Sequence, residues 1–209
     1  MNTKYLRKFA FLILSTCLSL TLFSANAHAQ ESSPRIVNDI ASRISGEIKP
    51  ESIVNRVYLL RHFEKQVADS QATYSKDPEL TTQGEMRAQS LAKYLSDANI
   101  IAIYSTDYKR TQQSVKPIAD KLGLRVNSYD PSKLEAFAMQ LQAISATSQG
   151  DILVVGHSNT TPELLKLLGG PQISMTENDY GDLFYLNLSE DKAKATSSFH
   201  KTTIQVQTK

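Results

Sequence analysis

Short apolar runs alternate with amphipathic stretches along this chain, and that alternation limits its fold more than any other feature. Val57-Tyr58-Leu59-Leu60, Ile100 to Tyr104 and Asp151-Ile152-Leu153-Val154-Val155 have the texture of strands buried on both faces. Between and after them lie segments with helical spacing. Thr81/Thr82 to Ser96 opens on a threonine cap, carries Glu85 in its first turn and sets Met86, Leu91 and Leu95 on one face. Arg110 to Leu122 stops at Gly123, and Ser132 to Ser148 repeats Leu134, Phe137, Leu141 and Ile144 before Gly150. Pro162 to Leu168 closes on Gly169-Gly170, while Arg125–Tyr129, Leu183–Leu188 and Thr202–Val206 read as further strands, the last two at a sheet edge. Strand and helix in turn predict an α/β, three-layer sandwich: a largely parallel central sheet with helices on both faces. Ligands of such sheets sit beyond the carboxyl ends of the strands, so the chemistry is expected there.

The first 29 residues stand outside that pattern. Lys4, Arg7 and Lys8 form a basic head, Phe9 to Phe23 is almost purely apolar, and Ser-Ala-Asn-Ala-His-Ala follows at 24–29. This is the layout of a cleavable secretory signal, with cleavage expected after Ala29. The apolar run falls short of the ~20 residues needed to span a bilayer, so no stable membrane anchor is expected after cleavage. Three of the 23 Lys and Arg lie in this leader and none of the 21 Asp and Glu does, which leaves 20 against 21 and a net charge near −1. The formal +2 of the whole chain therefore gives no ground for a nucleic-acid partner. Cys17, the only cysteine, leaves with the leader, and with it any disulfide, thiolate metal site or thiol nucleophile. Residues 30–52 read as an N-terminal arm with a short helix near Ile36–Ile44, and 53–209 as one domain long enough to bury its own core.

Three strand ends carry unusual chemistry. Arg61-His62-Phe63-Glu64-Lys65 follows the first buried strand, Ser105-Thr106 and then Lys109-Arg110 follow the second, and Gly156-His157-Ser158-Asn159 follows the strand at 151–155. A phosphate monoester carries close to two negative charges and needs fixed cations and dense N–H donors. Arginine offers a planar fork that matches phosphate oxygens and keeps its charge. A neutral imidazole is a competent nucleophile near pH 7, and Arg61 and Arg110 beside it would disfavour the imidazolium. His157 could donate to the equatorial oxygens as charge builds, and helix starts at Arg110 and near Asn159 add positive dipole ends.

These segments resemble those of the histidine phosphatase superfamily, also called phosphoglycerate-mutase-like. Leu60-Arg61-His62-Phe63-Glu64 is similar to its Arg-His-Gly/Ala-Glu signature, and Leu80-Thr81-Thr82-Gln83-Gly84-Glu85-Met86-Arg87-Ala88 to its Leu-Thr-x-x-Gly-x-x-Gln-Ala helix start, with Arg87 in place of Gln. Tyr104 to Ser114 resembles the Ser-x-x-x-Arg-x-x-Gln-Thr segment, and Val154 to Asn159 the second histidine motif. The likeness runs in order from about Arg56 to Gly170. It implies that His62 becomes phosphorylated, that Arg61, Arg110 and His157 hold the phosphoryl group, and that no metal or other cofactor is needed. Phe63 stands where the family usually has a small residue, which implies a pocket mouth narrowed or capped by its ring. One branch takes its proton donor from an Asp after the second histidine, here Ser158. The other uses a carboxylate between the middle arginine and that histidine, for which Glu135 is the first candidate and Asp130 and Glu163 the others. Glu64 reads as structural.

Each residue also has a plainer reading. Arg61-His62 alone could be a surface pair, His157 a satisfied histidine in a turn, Arg110 an ordinary first-turn residue, and Lys109 a solvated one. Thr81 and Gly84 need be no more than a helix start, and His200 has no motif around it. Zinc hydrolysis lacks a His-Glu-x-x-His pairing, and neither a Gly-x-x-x-x-Gly-Lys loop nor a Gly-x-Ser-x-Gly elbow occurs. The reading is a periplasmic or secreted phosphatase that acts on a small phosphorylated substrate. A phosphomutase of the same superfamily and a non-catalytic phosphate- or phosphosugar-binding protein are the alternatives.

Overall fold

The structure, a computed structural model, describes residues 55–67, 76–188 and 198–206. The leader, the arm and the Ile36–Ile44 helix lie outside these residues. Six strands, β1 (Arg56–Arg61), β2 (Ile100–Ser105), β3 (Val126–Ser128), β4 (Asp151–Gly156), β5 (Asp182–Asn187) and β6 (His200–Thr203), form one sheet in the order β3-β2-β4-β1-β5-β6. β1 to β4 run parallel, and β5 and β6 add an antiparallel hairpin beside β1. The helices are α1 (Thr82–Tyr94), α2 (Lys109–Leu122), α3 (Leu134–Thr147) and α4 (Thr160–Leu167).

Alternation along each strand splits the core in two. Tyr58, Leu60, Leu153 and Val155 pack with Leu91, Ala92, Val115 and Ile118 of α1 and α2, while Val57, Leu59, Ile152 and Val154 pack with Phe137, Leu141, Leu164 and Leu165 of α3 and α4. This is the expected three-layer sandwich, and it explains why β1 and β4 carry no polar alternation: both of their faces are covered. At roughly 1.5–3 kcal/mol for each fully buried aliphatic side chain, these two layers supply the main stabilising term.

Two details differ from the expected pattern. β5 is interior, because Leu183 joins one core while Phe184 and Leu186 join the other; of these two strands β6 alone is at an edge. On α1 the buried stripe is Ala88, Leu91, Ala92 and Leu95, and Met86 is exposed. Arg87 turns inward instead because a carboxylate waits for it: its Nη2 donates to Glu64 Oε1 at 2.6 Å. Arg87, in place of the motif Gln, thus forms a largely buried ion pair with Glu64, which has the structural place expected of it.

The same helix start clamps the segment that follows β1. Thr81 Oγ1 accepts from Gly84 N at 3.1 Å, and Thr81 N donates to Glu64 O at 2.8 Å. A Cβ on Gly84 would lie 2.4 Å from Glu64 O, so the backbone approach requires glycine there. From the other side Phe63 N donates to Ser114 Oγ at 2.9 Å, and Leu80 N to Gln113 Oε1 at 2.8 Å. Hence α1 and α2 hold the backbone that follows His62.

Candidate active site

β1 and β4 are neighbours, and Arg61 is the register partner of Gly156. His62 and His157, each one residue further on, therefore leave the same edge of the sheet side by side. Their ring centroids are 5.5 Å apart at 67°. His62 N donates to Gly156 O at 3.0 Å, and His157 N to Thr160 Oγ1 at 2.9 Å. Gly156 is crowded as well: a Cβ would meet Thr160 Oγ1 at 2.6 Å and Tyr129 Oη at 2.8 Å.

The tautomer of His62 follows from its partner. Nδ1 lies 2.8 Å from Phe63 O, and a carbonyl can only accept, so Nδ1 carries the proton and Nε2 the lone pair. Burial pushes this imidazole down to about 3, and the charges of Arg61 and Arg110, then His157, push the same way. His157 is lowered to about 4 by burial, then by Arg110 and Arg61, with Glu177 opposing. Both rings are neutral at pH 7. His157 Nε2 lies 2.9 Å from Thr106 Oγ1, and its ring stands edge-on to Tyr108 at 5.2 Å.

The two arginines are set differently. Arg61 is buried; its Nη1 donates to Thr176 O at 2.7 Å, its Nη2 to Glu177 Oε2 at 2.8 Å, and its guanidinium stacks on Tyr180. Arg110 lies over Tyr108 and has Asp77 Oδ1 at 3.6 Å from Nη1, beyond hydrogen-bond reach. Arg61 Nε, Arg110 Nε and Arg110 Nη1 are buried and meet no acceptor among the described residues. A buried guanidinium N–H with no acceptor costs free energy unless an anion comes to meet it. His62, Arg110 and His157 line an open cavity of about 530 Å³, together with Lys65, Ser158 and Glu177 among others.

Of the residues read from the sequence, His62, Arg61, Arg110 and His157 come together. The carboxylates do not join them. Glu135 is exposed in the first turn of α3 and does not line the cavity, because the buried Leu134, Phe137 and Ala138 turn its face of the helix outward. Asp130 is occupied by Ser132 N and Oγ, and Glu163 is exposed on α4. Phe63 does not narrow the mouth: its ring is fully buried in the core under α1 and α2. Lys109 is exposed and pairs with Glu79, and His200 stacks on Tyr185 along β6. Glu177 and Tyr180 were missed, since the segment between α4 and β5 carries no periodicity and no motif.

Residues 57–131, the stretch that delivers Arg61, His62 and Arg110, match the histidine phosphatase superfamily (branch 1). Over that stretch the chain is similar to the histidine phosphatase superfamily, as its motifs implied. Solved members of this fold share little sequence with it. The protein histidine phosphatase SixA complexed with tungstate superposes with a TM-score of 0.55 at 17% identity, over 70% of this chain and 94% of that one. A mycobacterial glucosyl-3-phosphoglycerate phosphatase gives 0.52 at 14%, over 74% and 100%. A protein from Escherichia coli described as an alpha-ribazole-5'-P phosphatase gives 0.51 at 17%, over 73% and 96%. At these identities the likeness is one of fold. No curated protein matches the chain by sequence. The superfamily match supports phosphatase-type activity.

Proposed function

We propose that this chain hydrolyses phosphomonoesters through a phosphohistidine on His62. One observation carries the reading: among the described residues Arg61 Nε, Arg110 Nε and Arg110 Nη1 are buried and meet no acceptor, beside an imidazole whose protonated Nδ1 leaves Nε2 the lone pair. A tetrahedral dianion bound there meets the orphaned donors and sets its phosphorus before Nε2. Nε2 attacks, the P–O bond to the alcohol breaks, and the alkoxide leaves with a proton. Water then attacks phosphorus, the P–N bond breaks, and inorganic phosphate departs. His157 lies beside the same position, with Nε2 2.9 Å from Thr106 Oγ1, and its ring N–H can donate to an equatorial oxygen as charge builds. The leader at 1–29 is the ground for placing this activity in the periplasm or outside the cell.

The test is a rapid quench with ³²P-labelled aryl phosphate. Acid-labile label on His62, and phosphate release without a bisphosphate primer, are expected. Turnover without that label, or label that persists in His62→Ala, overturns the relay; release that needs the primer points to a mutase. Phosphate binding without turnover on any ester points to a binding protein.

A further inference from the structure

The leaving alcohol needs a proton, and none of the carboxylates that the motifs suggest reaches the cavity. One without a motif does. Glu177 enters from the segment between α4 and β5, where Oε1 accepts from Ser158 Oγ at 2.6 Å and Oε2 accepts from Arg61 Nη2 at 2.8 Å. Ser158 follows His157 directly, and Arg61 precedes His62. The two bonds therefore place the carboxyl group between the partner of one histidine and the partner of the other, on the wall of the cavity they share. Its own segment is braced: Arg61 Nη1 donates to Thr176 O, Asp179 Oδ2 accepts from Thr176 N at 2.6 Å, and the Tyr180 ring covers the guanidinium.

We propose that Glu177 is the general acid of the first step and the general base of the second. This rests on the phosphohistidine reading above. In the first step the protonated carboxyl gives its proton to the ester oxygen as Nε2 of neutral His62 bonds to phosphorus. The products are the free alcohol, a Glu177 carboxylate, and a phosphohistidine whose ring carries a positive charge. In the second step the carboxylate takes a proton from water while the oxygen attacks phosphorus. The P–N electron pair returns to Nε2, leaving neutral His62, hydrogen phosphate and a protonated Glu177.

The environment suits both roles. The hydrogen bond from Ser158, then Arg61, Lys65 and His62, hold the carboxyl below the ordinary range, so it is ionised and ready as a base. A bound phosphoryl dianion takes up the charge of Arg61 and thereby favours the protonated form that the first step needs. The side chain remains 67% exposed, so its proton exchanges with solvent between turnovers.

The experiment compares the single-turnover phosphorylation of His62 in wild type and Glu177→Gln, with two substrates. A nitrophenyl phosphate loses a stable phenolate that needs no proton; an alkyl phosphate loses an alkoxide that does. The expected result is an alkyl rate lower by about 100-fold or more. The aryl rate should stay within about five-fold, and labelled His62 should accumulate because water is no longer activated. Equal loss on both substrates makes Glu177 only a positioning partner of Arg61 and overturns the proposal, as does no loss or a gain on both. The aryl label also reports that the variant is folded. Should Gln disturb the loop, Ser158→Ala keeps the carboxyl but loosens it, and a smaller loss confined to the alkyl substrate is expected; an equal loss overturns the proposal. Label absent from wild type as well sinks the phosphohistidine reading itself, which separates the two failures.

Discussion

His62 and His157 stand 5.5 Å apart because Arg61 and Gly156 are paired across β1 and β4. The separation is a property of the sheet register, so both imidazoles rest on backbone that cannot shift without breaking the ladder. A one-residue slip would turn one of them to the opposite face.

The nucleophile is the first target. His62→Ala should lower turnover of any phosphomonoester by about 1,000-fold or more, as loss of a covalent nucleophile does. Circular dichroism should show the same fold, since the ring contacts the cavity. Steady-state rates within ten-fold of wild type would remove His62 from the reaction.

Arg110 Nε and Nη1 are buried and meet no acceptor among the described residues. Arg110→Ala should lower kcat/KM by about 100- to 1,000-fold, comparable with loss of one transition-state donor. Arg110→Lys should restore little, because a point charge cannot offer two parallel donors. Phosphate inhibition constants should weaken in parallel.

The two histidines also tie stability to pH. Their folded values of about 3 and about 4 lie below the ~6.5 of an unfolded histidine. Between these limits the unfolded chain binds more protons, so stability is complete above about pH 6.5 and falls as the pH drops toward 4 and then 3. The loss is on the order of a few kcal/mol, reduced for His157 by its contact with solvent. Thermal unfolding at pH 7 and pH 4.5 should show a lower midpoint at the acid value. In His62→Asn that difference should shrink; an unchanged difference would free His62 of this role.

Gly156→Ala tests the crowding behind His157. The new methyl meets Thr160 Oγ1 and Tyr129 Oη at under 3 Å, and overpacking of this kind costs about 1–3 kcal/mol. Urea unfolding should show that loss. Activity should fall too, because Thr160 Oγ1 holds the backbone N–H of His157.

The leader has its own check. N-terminal sequencing of protein recovered from the periplasm or medium should begin at Gln30. A cell-bound product that retains Met1 would mark the segment as an anchor.

Much of the molecule could be read before folding. The double-sided apolar runs of β1 and β4, the Thr81 cap and the helical stripe of α3 are short-range patterns, set by the geometry of a few neighbouring residues. Arg61, His62, Arg110 and His157 were legible because each follows a strand end, where such sheets place their chemistry. The place of Glu177 was not. Glu135 lies at the expected place in the chain, yet the helix that carries it turns it to solvent, while Glu177 reaches the site through Arg61 and Ser158, 116 and 19 residues away. Phe63 was misread for the same reason: whether a side chain beside a nucleophile faces the cavity or the core depends on which helices pack behind it. The sequence by itself determined where strands, caps and charged strand ends occur, since period and spacing act over a few residues. Only the tertiary structure decided that Arg61 pairs with Gly156, that β5 lies inside the sheet and that Glu177 closes over the arginine. Those outcomes come from burial and strand pairing between distant segments, whose energies no local pattern records.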